Sequence, residues 1–350
     1  MDFSLFYFAS DSREFEGNRY QLLLEGAKFA DRNGFSAVWT PERHFHPFGG
    51  LYPNPAVTGA AVAAVTERIH IRAGSVVSPL QHPLRVAEEW SVVDNISGGR
   101  AGVSFASGWN AADFVLAPDN YENRHTLVRE HVEQVRALWR GETMPLTDGV
   151  GTRRDVAVYP RPVQRQLPVW VTSAGSVDTF RAAGQLGTGL LTHLLGQEPA
   201  ELAVKIRAYR EALAERPGHD GWNGHVALMV HTFLGDDEAE VKEQVREPLS
   251  DYLGNSLGLF LGARKADPKK LSASDTAFVI SRAFDRYFES SGLLGTVDKA
   301  TRIAADFAAL GVDEIACLID FGLPPKAVLS GLELLDDVRK RIAAGPPAGE

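Results

Sequence analysis

Short apolar runs alternate with stretches of helical periodicity along nearly the whole chain. Asp2 to Ala9 reads as a strand. Asn18 to Asn33 is a helix with Leu23, Ala27 and Ala30 on one face, and Gly34 stands where a helix C-cap belongs. Phe35 to Trp39 supplies a second buried strand, broken at Pro41. Pro55 to Thr66 is a helix of small residues. Ile69 to Ser78 is a third strand, and Pro83 to Asn95 a helix with proline in its first turn. The fourth strand, Ala101 to Ala106, precedes the amphipathic helix His125 to Arg140. Gly141 to Gln166 carries the turn signal Asp148-Gly149 and reads as a hairpin insertion.

Strands recur at Pro168 to Thr172, Gly189 to Leu195, His225 to Leu234 and Asp313 to Asp320. Their helices are a short one ending near Gly187, then Pro199 to Leu213, Asp236 to about Leu249, Thr296 to Leu310, and Pro325 to Ile342. Asp251 to Leu294 is irregular apart from a helical pattern over Asp275 to Phe288, and reads as an insertion or lid. Strand–helix alternation predicts a parallel sheet, and eight units predict a closed (β/α)8 TIM barrel of the α/β class, with insertions after helix 4 and in 251–294. No repeat or shift in composition marks a second domain. Residues 1–343 are expected to form one domain and 344–350 a flexible tail.

Composition narrows the function classes. The chain has 350 residues, 44% hydrophobic and 23% charged, as a soluble globular protein does. Its net charge of -9 argues against a nucleic-acid or anionic-membrane partner. The one cysteine, Cys317, leaves no disulfide within the chain and no cysteine metal cluster. No stretch approaches the ~20 apolar residues of a membrane span, and charged residues interrupt the opening segment. The expectation is a cytoplasmic protein.

A barrel keeps its chemistry at the carboxyl ends of its strands. Those ends carry Ser10; Glu42, Arg43 and His44; Ser75 and Ser78; Ser107, Trp109 and Asn110; Ser173 to Ser176; His193; His231; and Asp320. Ser173-Ala174-Gly175-Ser176 opens a helix, so its amide hydrogens and hydroxyls suit a phosphate, although taken alone the loop fits a plain turn and N-cap better. Arg124 offers a charge-assisted contact to such a phosphate. The turn Ser97-Gly98-Gly99-Arg100 lies at the opposite face and is assigned to stability. No G-x-S-x-G elbow, dinucleotide fingerprint or P-loop occurs, and His44 and His46 lack metalloprotease spacing, so no metal is assigned.

Taken together, WTPERHF with Asn54-Pro55, SVVSPLQHPLRVAEE, DNISGGR, FASGWN, YENR and LPVWVTSAGS make a specific set. The chain resembles the bacterial luciferase-like flavin monooxygenases from its first strand to its last helix, and most closely the branch associated with nonribosomal-peptide and polyketide assembly. The resemblance implies a TIM barrel, usually dimeric, that takes reduced FMN (FMNH2) from a separate flavin reductase. Oxygen (O2) adds at the flavin C4a position, and the peroxyflavin attacks the substrate. It also implies phosphate contacts at Arg124, Ser173, Gly175, Ser176 and Ser107. Flavin-ring contacts would fall at Ala73, Gly74 and Ser75, where relatives often carry a non-proline cis peptide, and at Trp109 or His193.

One departure stands out. The luciferases carry two adjacent histidines after the glutamate of the second strand, whereas this chain has Arg43 and then His44. The base role of the first histidine therefore does not transfer. His44 or His231 would move the proton, since imidazole titrates near neutrality. Arg43 would stabilise the peroxy anion or brace Glu42. The implied activity is hydroxylation or Baeyer–Villiger oxygen insertion on a natural-product intermediate, free or bound to an acyl or peptidyl carrier protein. Two rivals remain: a deazaflavin-dependent oxidoreductase of the same superfamily, and a non-catalytic flavin-binding or docking barrel.

Overall fold

The computed structural model describes residues 1–8, 17–263 and 272–345. Four parallel strands come first: β1 (Asp2–Phe6), β2 (Ala37–Thr40), β3 (His70–Val77) and β4 (Ala101–Ala106). A separate antiparallel hairpin, β5 (Met144–Thr147) and β6 (Arg153–Val156), follows. The barrel resumes with β7 (Val169–Thr172), β8 (Gly189–His193) and β9 (Val226–Leu234), a short β10 (Leu293–Gly295) adds to the end of β9, and β11 (Glu314–Leu318) completes the series. The pairing runs β9-β11-β1-β2-β3-β4-β7-β8 and returns to β9, so eight parallel strands close. These are the eight strands that the sequence pattern predicts.

Ten helices are described: α1 (Gln21–Asn33), α2 (Pro55–Ala63), α3 (Pro83–Ser97), α4 (Arg124–Arg140), α5 (Val177–Gln185), α6 (Pro199–Ala214), α7 (Glu238–Ala263), α8 (Ala273–Arg286), α9 (Val297–Ala309) and α10 (Pro325–Ala344). Their starts follow local chemistry. Asn54 Oδ1 accepts the amide hydrogens of Ala56 and Val57, which opens α2. Thr296 does the same for Lys299 at α9. Strands covered by helices are buried on both faces, so β9 is apolar almost throughout and buried at every position. The hairpin turn is held by Asp148, which accepts from the amides of Val150 and Thr152.

The segment expected to be irregular is largely helical. α7 continues through Pro248 to Ala263, because the buried stripe Val241, Val245, Leu249, Tyr252 and Leu253 keeps helical spacing across the proline. The helical pattern was expected only as far as about Leu249. α8 and a π-turn at Tyr287–Ser291 lead on to β10. Ser10 and residues 346–350 of the expected tail lie outside the described residues.

The amino-terminal end of the barrel is plugged by a polar network. Glu314 is fully buried and takes Ser4 Oγ at 2.6 Å, Trp39 Nε1 at 2.8 Å and Arg72 Nη1 at 2.7 Å. Burial pushes its carboxyl up, but Arg72, His225 and these donors outweigh that and leave it at about 2. At the same end Arg100 bonds Thr66, Ile69 and Ser97, as expected of a stability turn. No helix among the described residues is long and apolar enough to cross a membrane.

Candidate active site

Pro41 ends β2 at the carboxyl face and turns Glu42 inward. The Glu42 carboxylate, 6% exposed, takes three partners. Val77 N–H donates to Oε2 at 2.7 Å, while Gln81 Nε2 at 2.8 Å and His44 Nε2 at 2.9 Å meet Oε1. Donation from Nε2 fixes the imidazole tautomer and leaves Nδ1 as its acceptor. His44 is thus a partly exposed imidazole steered by a buried carboxylate. His46 turns back into its own loop and accepts the Phe48 amide hydrogen.

Arg43 does not brace Glu42. Its Nη1 lies 2.7 and 2.6 Å from the two oxygens of Asp113, in the turn after β4, and Asn110 Nδ2 also donates to Asp113 at 2.7 Å. The guanidinium is 2% exposed, sits 5.2 Å from the Trp109 ring centre, and has Nε and Nη2 buried with no partner. Gly108 lets the turn that carries Trp109 and Asp113 pack on Val77 and Phe114: its φ is +74°, and a Cβ there would come within 2.8 Å of Val77 and 2.9 Å of Phe114. Asp113 is a functional candidate that the sequence pattern did not single out. Its signal was an acid inside the otherwise apolar run Ala111–Leu116. Arg43, His44, Phe45 and Pro53 line a pocket of about 370 Å³.

On the β3 side, the Gly74–Ser75 peptide is cis and non-proline, and the β3–β4 register shifts there. Gly74 admits no side chain, since a Cβ would stand 2.6 Å from Phe6. Ala73 is fully buried. Ser75 Oγ and Ser104 Oγ both meet Thr172 Oγ1, the latter at 2.6 Å, giving a row of hydroxyls across β3, β4 and β7. Ser104 and Thr172 were not among the predicted residues. Ser107 is half-buried after β4.

The loop after β7 reaches α5. Ser173 Oγ accepts the Gly175 amide hydrogen at 3.3 Å, and Ser176 is the N-cap of α5 without capping it; its hydroxyl meets Thr179 at 3.4 Å. Amides at the start of α5 therefore lack a side-chain cap. Lys205 on α6 lies beside this loop, 2.8 Å from Gln197 Oε1 and 3.5 Å from the Ala174 carbonyl. Its place in a helical pattern gave no sign of that position. Arg124 opens α4; its Nη1 donates to the Tyr121 carbonyl at 2.7 Å, and its Nε is buried without a partner.

The two barrel histidines are held neutral. Burial, and then Lys205, pull His193 down to about 4, and its Nδ1 accepts from Leu195 N–H. Burial, and then His193, pull His231 down to about 3. The expectation that His231 titrates near neutrality is thereby corrected: Tyr252, Tyr287 and Phe321 ring it at 4.5 to 5.4 Å and remove the water that would stabilise the cation. Asp320 is engaged with Phe8 N–H at 2.5 Å and Tyr52 OH at 3.1 Å. Among the described residues, one group could gather metal ligands (Asp2, His225 and Glu314), and it lies at the amino-terminal end of the barrel, away from this site.

The mouth thus brings together Glu42, Arg43 and His44 with Trp109 and Asp113, and a hydroxyl row centred on Thr172. A profile described as luciferase-like monooxygenase matches residues 1–314. The chain is 25% identical to the oxygenase component of the flavin-dependent trigonelline monooxygenase of Acinetobacter baylyi over 345 residues, 95% of this chain and 93% of that protein. Its fold is similar to that of monooxygenase RslO1 from Streptomyces bottropensis, with a TM-score of 0.79 and 24% identity over 96% of this chain and 98% of that one. It is also similar to the oxygenating constituent of 3,6-diketocamphane monooxygenase of Pseudomonas putida, solved with FMN, with a TM-score of 0.73 and 22% identity over 96% of each chain.

Proposed function

The chain belongs to the luciferase-like monooxygenase family, and from that premise we propose that it is an FMNH2-dependent monooxygenase acting on an uncharged natural-product intermediate, free or carrier-bound. The observation that carries the cofactor is the pairing of uncapped amides at α5 with a buried, unpartnered Arg124 Nε, both at the carboxyl face. Orphaned donors of this kind fit a phosphate. Ser107, Ser173, Gly175, Ser176, Arg124 and Lys205 would hold it. Ala73, Gly74, Ser75, Trp109 and His193 would meet the ring. Reduced FMN, when bound, supplies the two electrons that activate O2.

The chain's own residues do the rest. His44 is the proton carrier, oriented by Glu42 through Nε2 and exchanging its proton at Nδ1. His231 and its aromatic ring exclude water from the reacting volume. A separate flavin reductase is the proposed electron source, and the cytoplasm the proposed compartment of the pair. The exposed apolar side chains Val57 on α2 and Val92 and Ile96 on α3 support a homodimer across that face.

Oxygen uptake with FMNH2 and a panel of acyl and aminoacyl thioesters tests the reading. A product heavier by one oxygen is expected. A chain that binds no FMN contradicts it, and competition between FMN and a deazaflavin decides between the two cofactors.

A further inference from the structure

We propose that Arg43, paired with Asp113 and roofed by Trp109, holds the carbonyl oxygen of an uncharged acyl group such as a thioester, and refuses the corresponding free carboxylate. The inference rests on the reading of this mouth as a monooxygenase site.

The geometry divides the guanidinium in two. Nη1 is used up by both oxygens of Asp113, at 2.7 and 2.6 Å. Nε and Nη2, both buried, have no acceptor. These two nitrogens form one edge of the planar fork and present parallel N–H groups, which a single carbonyl oxygen with two lone pairs can accept together. Buried donors in a folded protein almost always find a partner, so an unfilled pair on a side chain only 2% exposed points to a ligand.

Charge then decides which ligand. Asp113 neutralises Arg43, and Asn110 Nδ2 at 2.7 Å keeps the carboxylate in place. The fork is therefore a set of donors without net charge. A carboxylate brought to it would lose its water and stand close to the carboxylate of Asp113, a like-charge contact in a desolvated place. A thioester or ketone oxygen meets the same donors with no such repulsion.

Two further features fit an entering ligand. Trp109 lies against the guanidinium at 5.2 Å and is 44% exposed, so the roof borders solvent. The stem of Arg43 is clamped from below, because a Cβ on Gly49 would come within 2.9 Å of both Arg43 Cγ and Phe8. The stem is thus tightly packed while its cover is partly exposed. Arg43 and His44 both line the pocket of about 370 Å³, so an acyl group held by Arg43 would lie near the proposed proton carrier.

Calorimetry on the protein with FMN added, using S-butyryl-N-acetylcysteamine and butyrate as probes, tests this. Wild type should bind the thioester at least about tenfold more tightly than butyrate. Asp113→Asn leaves Arg43 with an unbalanced charge, so the ratio should move toward butyrate by at least about tenfold. Arg43→Lys keeps the charge but loses the planar fork, and should weaken thioester binding by a similar factor; it carries the test if Asp113→Asn does not fold. Equal binding of the two probes, binding of neither, or a ratio unmoved in a folded variant would overturn the proposal. Flavin fluorescence read in the same titration separates the outcomes: failure to bind FMN counts against the cofactor reading, and failure of the probe ratio alone counts against the Arg43 site.

Discussion

Arg43 Nη1 bonds both carboxylate oxygens of Asp113, joining the loop after β2 to the turn after β4 at the carboxyl face of the barrel. Removing one partner strands the other as a buried charge. Asp113→Ala should therefore cost about 3–5 kcal/mol, and Arg43→Ala a comparable amount. The double variant should cost less than the sum, since it leaves no stranded charge. Urea denaturation of the four proteins measures this; additive losses would show that the pair is not coupled.

His44 is tied to Glu42 at 2.9 Å and keeps part of its ring open at the mouth. His44→Gln should lower turnover by about 10²-fold while leaving FMN affinity unchanged. Steady-state oxygenation with FMNH2, set beside an FMN titration, checks both halves.

His231 carries a pH signature. Its folded value of about 3 lies below the ordinary imidazole value of 6.5. The unfolded chain therefore binds a proton that the folded chain refuses, and stability falls as pH drops from about 6.5 toward 3. The loss from this group at pH 5 is on the order of 2 kcal/mol. His231→Phe should flatten that slope between pH 7 and 5 in thermal or urea unfolding. An unchanged slope would mean that the imidazole is better solvated than its aromatic ring suggests.

Glu314 acts over a lower window. Its folded value of about 2 is below the ordinary carboxyl value of 4.5, so its stabilisation is present above about 4.5 and disappears as pH falls through 2. Glu314→Gln should reduce stability by on the order of 3 kcal/mol at neutral pH and by much less near pH 2.5. Denaturant midpoints for the two proteins across that range give the comparison.

Arg124 and Lys205 separate a phosphate role from a ring role. Arg124→Ala should weaken FMN binding by about 1.5–3 kcal/mol, as loss of a charged hydrogen bond does, and leave riboflavin binding nearly unchanged. Lys205→Met should act in the same sense. Equal weakening of both ligands would move these residues away from the phosphate.

The barrel was legible because strand and helix periods alternate cleanly, and because a doubly buried strand such as β9 advertises itself as an unbroken apolar run. The cluster Glu42, Arg43, His44 was legible as titratable groups just past a strand-breaking proline. Its internal wiring was not. Nothing near Arg43 in sequence says that its partner is Asp113, seventy positions on, because that contact exists only once β2 and β4 flank β3. Lys205 stayed hidden for the same reason: a lysine in a helix normally faces water, and only the packing of α6 on α5 brings it to the Ala174 loop. α7 misled in the other direction, since its pattern was expected only as far as about Leu249 while the buried stripe carries the helix on through Pro248.

The central claim is that this mouth transfers one atom of O2 to an uncharged acyl substrate using reduced FMN. The most direct measurement is incubation with FMNH2, 18O2 and acyl thioesters, followed by intact-mass analysis. The account predicts one 18O atom in the product, formed by wild type and greatly reduced in His44→Gln. Complete consumption of FMNH2 with only hydrogen peroxide released, or oxygen in the product that comes from water, would contradict it.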